Sequence, residues 1–150
     1  GDIKIAIQEW DGVFIHDAKL DYPTTKIDLP FSSRGRRSKR RRIMRGVDTY
    51  VEIDSNLEEP ESPILWLVVD PDLHFCLDID LKQAIHQWRW MLLYEQSAIH
   101  QAYIFSKISF ISDYSMFKPL FYFVQNTDAY YKLKMIAVSE MCKVILPIRV

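Results

Sequence analysis

Asp80-Leu81-Lys82-Gln83-Ala84-Ile85-His86-Gln87-Trp88-Arg89-Trp90-Met91-Leu92-Leu93-Tyr94 is the most strongly patterned stretch of the chain. Leu81, Ala84, Ile85, Trp88, Met91 and Leu92 recur at helical spacing, which puts them on one stripe of a helix. Asp80 offers an N-cap carboxylate and Gln83 stands at the capping-box position, so the spacing predicts a helix from Asp80 to about Tyr94. Trp88 falls in the stripe. Trp90 lies about 200° away from it around the helix and needs another surface, either a second packing face inside the domain or a subunit or membrane-proximal contact.

Upstream of this helix, residues 64–69 and 73–79 read as two strands joined at Asp70-Pro71-Asp72, a hairpin expected at the centre of a sheet. Val47, Thr49, Val51 and Ile53 alternate with Asp48, Tyr50, Glu52 and Asp54, predicting a strand with one acidic, solvated face. At the start of the chain, Ile3, Ile5 and Ile7 alternate with Asp2, Lys4 and Ala6. Gly12-Val13-Phe14-Ile15 follows across Trp10-Asp11-Gly12, so a hairpin is expected there, and residues 25–29 read as one more short strand ended by Pro30.

Downstream, Ser97 is placed to cap a second helix through Ile99, Ala102 and Tyr103, while residues 104–111 fit either its continuation or an extended segment. Aromatic and β-branched residues predict strands at 120–124, 130–138 and 143–148, the first two joined by a turn at 125–128. With no βαβ alternation and no internal repeat, the fold class is α+β: an antiparallel sheet of hairpins and a C-terminal meander, with one or two helices packed on it.

At 150 residues the chain fits a single domain, 1–150, and its 49% hydrophobic and 13% aromatic content supplies a packed core. No run of apolar residues is long enough for a membrane span, and no signal-peptide pattern opens the chain. Cys76 and Cys142 are too few for a disulfide framework, so a reducing, intracellular setting with buried thiols is expected.

Charge is segregated. Arg34, Arg36, Arg37, Lys39, Arg40, Arg41, Arg42 and Arg45 crowd a basic loop or arm at 32–45 that contains no acid, whereas residues 46–81 hold ten acids and no Lys or Arg. Cations this dense repel one another unless anions or acidic neighbours offset them, so the eight are expected to bind phosphate-rich or anionic partners. RNA or ribonucleoprotein, an anionic membrane surface and a nuclear import receptor all fit that chemistry. A solvated loop resting on the chain's own acidic strand face is the structural alternative.

Catalytic readings find little support. Pro71-Asp72 and Asp80-Leu81-Lys82 carry the residue types of a PD-(D/E)xK nuclease, but eight residues of strand separate the two carboxylates by about 26 Å, too far for one metal. His16, His74, His86 and His100 have no metal-ligand spacing, and no phosphate loop or nucleophile elbow is present. A non-enzyme with no metal and no cofactor is expected.

Ala84-Ile85-His86-Gln87-Trp88-Arg89-Trp90-Met91, followed by Tyr103-Ile104-Phe105, resembles the Ala-x-x-x-Trp-x-x-Met helix of rhabdovirus matrix proteins and the stretch after it. The resemblance implies a viral structural protein that self-associates into a layer condensing ribonucleoprotein beneath a membrane, in the virion and in the host cytoplasm or nucleus. Contact through the arginine arm, with homo-oligomerisation through Asp48, Glu52, Asp54 and Trp90, completes that expectation. A nucleic-acid-binding or nuclear-targeted accessory protein is the alternative, and a metal-dependent nuclease the third.

Overall fold

The computed structural model describes residues 1–21, 23–30, 32, 42–45, 50–52, 62–75, 78–108 and 113–146. The chain divides into two compact units, Gly1–Gln87 and Trp88–Val150. The N-terminal unit holds the strands, and the C-terminal unit is helical. The class is α+β with antiparallel sheet.

In the N-terminal unit, β1 (Asp2–Glu9) and β2 (Gly12–Lys19) form the expected hairpin, with Asp2 opposite Lys19 and Glu9 opposite Gly12. Gly12 closes the turn at φ 152°, a conformation that a side chain would strain. β5 (Ile64–Val69) pairs antiparallel with the other edge of β1, giving the order β2-β1-β5. Gln8 faces Trp66 and Glu9 faces Ile64, so Leu65 is the extra residue of a bulge. A separate ribbon pairs β3 (Arg42–Met44) with β4 (Tyr50–Glu52). The core gathers Ile3, Ala6, Ile7, Ala18, Ile43, Leu65, Trp66 and Val68.

Of the hairpin expected at 64–79 only the first strand forms among the described residues, since 73–75 and 78–79 are not strand, and β1 takes the central place. After β5 the backbone turns sharply, with Asp70 at φ 50° and Leu73 at φ 52°. The buried Asp70 carboxylate accepts from the N–H groups of His74 (3.0 Å) and Phe75 (2.8 Å). A side chain that binds backbone donors in this way offers them an alternative to a ladder. No strand forms at 25–29 either, where Thr25 Oγ1 accepts from Asp21 N–H at 2.7 Å and donates to its carbonyl.

The helix expected from Asp80 begins later, as α1 (Ile85–Tyr94). Gln83 is engaged elsewhere: its Oε1 accepts from Leu67 N–H of β5 at 3.3 Å. The capping-box role passes to Gln87, whose Oε1 reaches back to Ala84 N–H at 3.0 Å. Ser97 does cap α2 (Ala98–Ile108), taking His100 N–H on its hydroxyl at 3.5 Å and Gln101 N–H on its carbonyl at 2.9 Å. The extended alternative for residues 104–108 therefore falls.

The expected meander is replaced by helices. A 3₁₀ turn at Tyr114–Met116 leads into α3 (Phe117–Gln125), and α4 (Tyr131–Ile145) follows. Met116, Leu120 and Phe123 are buried at spacings of four and three, as are Leu133, Ala137 and Glu140. These stripes outweigh the strand propensity of the aromatic residues between them. Pro119 is accommodated in the first turn of α3, where its missing N–H has no intrahelical partner to lose. Cys142 lies on the solvent side of α4, contrary to the expected buried thiol; Cys76 is outside the described residues.

Asp113 caps the 3₁₀ turn by accepting Ser115 N–H at 2.7 Å. That hydrogen bond, helped by the nearby positive charge of Arg89, holds the carboxyl below the usual 3.8. A depressed folded-state value adds stability above the unfolded value, and this is lost as pH falls through the folded one. Asp113→Asn should therefore lower Tm at neutral pH, and the gap to the parent should close as pH falls through the folded-state value. Thermal melts across a pH series check this; a gap that persists unchanged in acid would show that the carboxylate charge is not involved.

Candidate interaction surface

At the end of the β1–β2 hairpin a polar cluster joins the three-stranded sheet to the β3–β4 ribbon. Gln8 is only 2% exposed. Its Nε2 donates to the carbonyls of Glu9 (2.8 Å), Gly12 (3.2 Å) and Met44 (2.9 Å), and its Oε1 accepts from Arg45 Nη1 at 2.6 Å. Met44 N–H donates to Trp10 O at 2.9 Å, adding a backbone link between hairpin and ribbon. Glu9, fully buried, accepts Ser32 N–H on Oε1 at 3.1 Å. A buried amide with this many partners fixes geometry, because every alternative placement would strand polar groups away from water.

Two of the eight expected anion-binding cations are described, and both have partners within the chain. Arg45 stands 5.6 Å above the Trp66 ring as well as bonding Gln8. Arg42 faces Glu52 across the ribbon at 3.9 Å and lies 4.4 Å over the Tyr50 ring. The expected loop is thus a strand at residues 42–44, and Ile43 within it is fully buried. Periodicity could not reveal so short a strand. Arg34, Arg36, Arg37, Lys39, Arg40 and Arg41 lie outside the described residues, as do Asp48 and Asp54.

Glu52, expected in self-association, is the acid that pairs with Arg42. Trp90 is 6% exposed, with its ring centroid 5.3 Å from that of Tyr94, which leaves little of it for a second copy. Trp88, 3% exposed, is 6.2 Å from the Tyr103 ring, so α1 buries both indoles on diverging faces. Asp72 is an exposed turn residue within 3.6 Å of Lys4 Nζ. Among the described residues no group of three or more His, Cys, Asp or Glu side chains could hold a metal. Sequence reasoning passed over Gln8, because one polar residue in an alternating strand reads as solvent-facing.

Comparison with known proteins assigns the chain. The family model for the TAF2 Ig-like domain matches residues 1–84, ending just short of the boundary of the N-terminal unit. Transcription initiation factor TFIID subunit 2 of Danio rerio is 27% identical over 144 residues, covering 96% of this chain and 12% of that protein. The Caenorhabditis elegans protein of the same name is 28% identical over 134 residues, 89% of this chain and 12% of its own length. The Drosophila melanogaster one is 29% identical over 101 residues, 67% and 8%. The chain thus spans about an eighth of the length of the first two relatives.

These matches overturn the resemblance to rhabdovirus matrix proteins, and with it the matrix role and virion assembly. That resemblance rested on a few residues of α1 and α2, whose aromatic and aliphatic spacing is what any buried helix pair needs. Two antiparallel sheets, joined through the Gln8 cluster and matched over more than half of the sequence, make the chain a member of the TAF2 Ig-like domain family.

Proposed function

We propose that the chain is a non-catalytic structural module of a transcription initiation factor of the TFIID type, acting in the nucleus by packing against other subunits of the assembly. The observation that carries this reading is the reach of the alignment: 96% of the chain, through the helical unit as well as the sheets, aligns with a protein named TFIID subunit 2. A subunit works within an assembly, so the partners are macromolecular and chiefly protein. RNA, membrane and import-receptor partners draw no support from these relatives. Transcription initiation is an intracellular process, so the intracellular setting stands while the virion falls away.

The non-catalytic part is supported by how the polar side chains are used. Asp70 and Asp113 accept backbone N–H groups at turns, Glu95 accepts those of Gln96 and Ser97 between α1 and α2, and Gln8 joins two sheets. Each holds the backbone in place. Affinity purification of the tagged chain from nuclear extract, with quantitative mass spectrometry, tests the reading. TFIID subunits should be enriched over a tag-only control and over a Gln8→Leu variant; enrichment of other nuclear proteins without any TFIID subunit would overturn it.

A further inference from the structure

The corner between α1 and α2 is built around a buried carboxylate. Glu95 directly follows the last residue of α1, and its side chain is only 4% exposed. Its Oε1 accepts the N–H groups of Gln96 at 2.8 Å and Ser97 at 3.0 Å, and its carbonyl accepts from Gln101 Nε2 at 2.6 Å. Its own N–H closes the final turn of α1 on Met91 O at 2.9 Å. One residue thus ties the end of one helix to the start of the next. Two backbone donors, at the positive end of α2, hold the carboxyl in its charged form.

A buried negative charge calls for a counter-charge within the fold, and backbone dipoles supply only part of one. His100, the third residue of α2, brings its Nδ1 to 3.6 Å from Glu95 Oε2, and its side chain is 17% exposed. On α1, His86 is half-buried and Arg89 acts on Asp113, while Lys107 of α2 stands 5.5 Å over the Tyr103 ring. On α4, which packs on α2, Glu140 accepts from Lys143, Lys132 is exposed and Lys134 is half-buried. Burial alone would drive the proton off His100, whereas a carboxylate this close holds it on. The imidazole keeps some contact with water and the carboxylate almost none, so the attraction prevails.

We propose that His100 carries a proton at neutral pH and, with the buried Glu95 carboxylate, forms a proton-linked latch on the α1–α2 corner. A folded state that holds this proton more tightly than the unfolded chain gains stability from it. That stability is fully present below the ordinary histidine value and is lost as pH rises through the folded one. The latch therefore holds in acidic and neutral solution and loosens toward alkaline pH. It lies within the Trp88–Val150 unit and does not depend on the TFIID reading, which stands if the latch fails.

The test follows the imidazole protons of His16, His74, His86 and His100 by NMR in the whole 150-residue chain, across a pH series centred on neutrality. The His100 signal, identified as the one missing from His100→Gln, should titrate at least about one pH unit above the ordinary value of about 6.5. Glu95→Gln keeps the shape and one acceptor oxygen. It should bring that midpoint down by about one pH unit or more and leave the other three histidines where they are. Amide exchange reads the latch itself. Protection of Gln96 and Ser97, corrected for the intrinsic rate, should fall by about tenfold as pH rises through the midpoint, and should stay level in His100→Gln. Should a variant fold poorly, the parent titration decides alone, with its signals assigned through bonds to the backbone. A His100 midpoint at or below the ordinary value overturns the proposal. So does a midpoint that Glu95→Gln leaves unmoved, or parent protection at Gln96 and Ser97 that does not change with pH.

Discussion

Replacing Trp66 by alanine is expected to destabilise the N-terminal unit by about 3–5 kcal/mol, the range for truncating a buried tryptophan. The side chain is 1% exposed, sits on β5 opposite Gln8, and carries the Arg45 guanidinium 5.6 Å above its ring. Truncation opens a cavity and removes the surface on which Arg45 rests, so transfer, cavity and cation–π contributions act in the same direction. Trp66→Phe keeps an aromatic face and should cost clearly less. Urea titration followed by hydrogen exchange at the β1 amides of Ala6, Ile7 and Gln8 measures the difference. A loss below about 1 kcal/mol would place Trp66 outside the cooperative core.

Gln8→Leu should cost about 2–4 kcal/mol although it conserves apolar volume, because it leaves carbonyls and the Arg45 guanidinium with a lost partner. The three carbonyls that share its two N–H groups lose them at once: Glu9 O on the strand, Gly12 O at the turn and Met44 O on the ribbon. The loss should be local. Amide exchange in the β3–β4 ribbon should accelerate more than exchange in the β1–β2 ladder, which keeps its own backbone bonds. Arg45→Ala alone removes one of the four bonds to Gln8 and should fall between Gln8→Leu and the parent. If Gln8→Leu were neutral, water would be meeting these groups and the two sheets would be held by apolar contact alone.

Both effects concern a cluster invisible in the linear pattern. Gln8 and Arg45 are 37 positions apart, and what brings them together is the crossing of β3 over the end of the first hairpin. Likewise, Gln83 looks like a capping residue from its neighbours, but a backbone donor of β5 sixteen residues earlier takes its side chain.

Sequence by itself determined what depends on nearest neighbours. The β1–β2 hairpin follows from alternation and from a glycine at the turn, β5 from a short apolar run, and the capped helix α2 from Ser97 and a repeating apolar stripe. The α+β class and the antiparallel sheet follow from the same local periodicities. Tertiary structure decided the rest. It made β1 rather than the 64–79 region the centre of the sheet, because Asp70 took the backbone donors that a second strand would have used. It turned the aromatic C-terminal third into α3 and α4, because Met116, Leu120 and Phe123, with Leu133 and Ala137, are buried together only at helical spacing. It also gave Arg42 and Arg45 internal partners, since a cation's role depends on which acid, amide or ring the fold brings within reach, and composition carries no record of that.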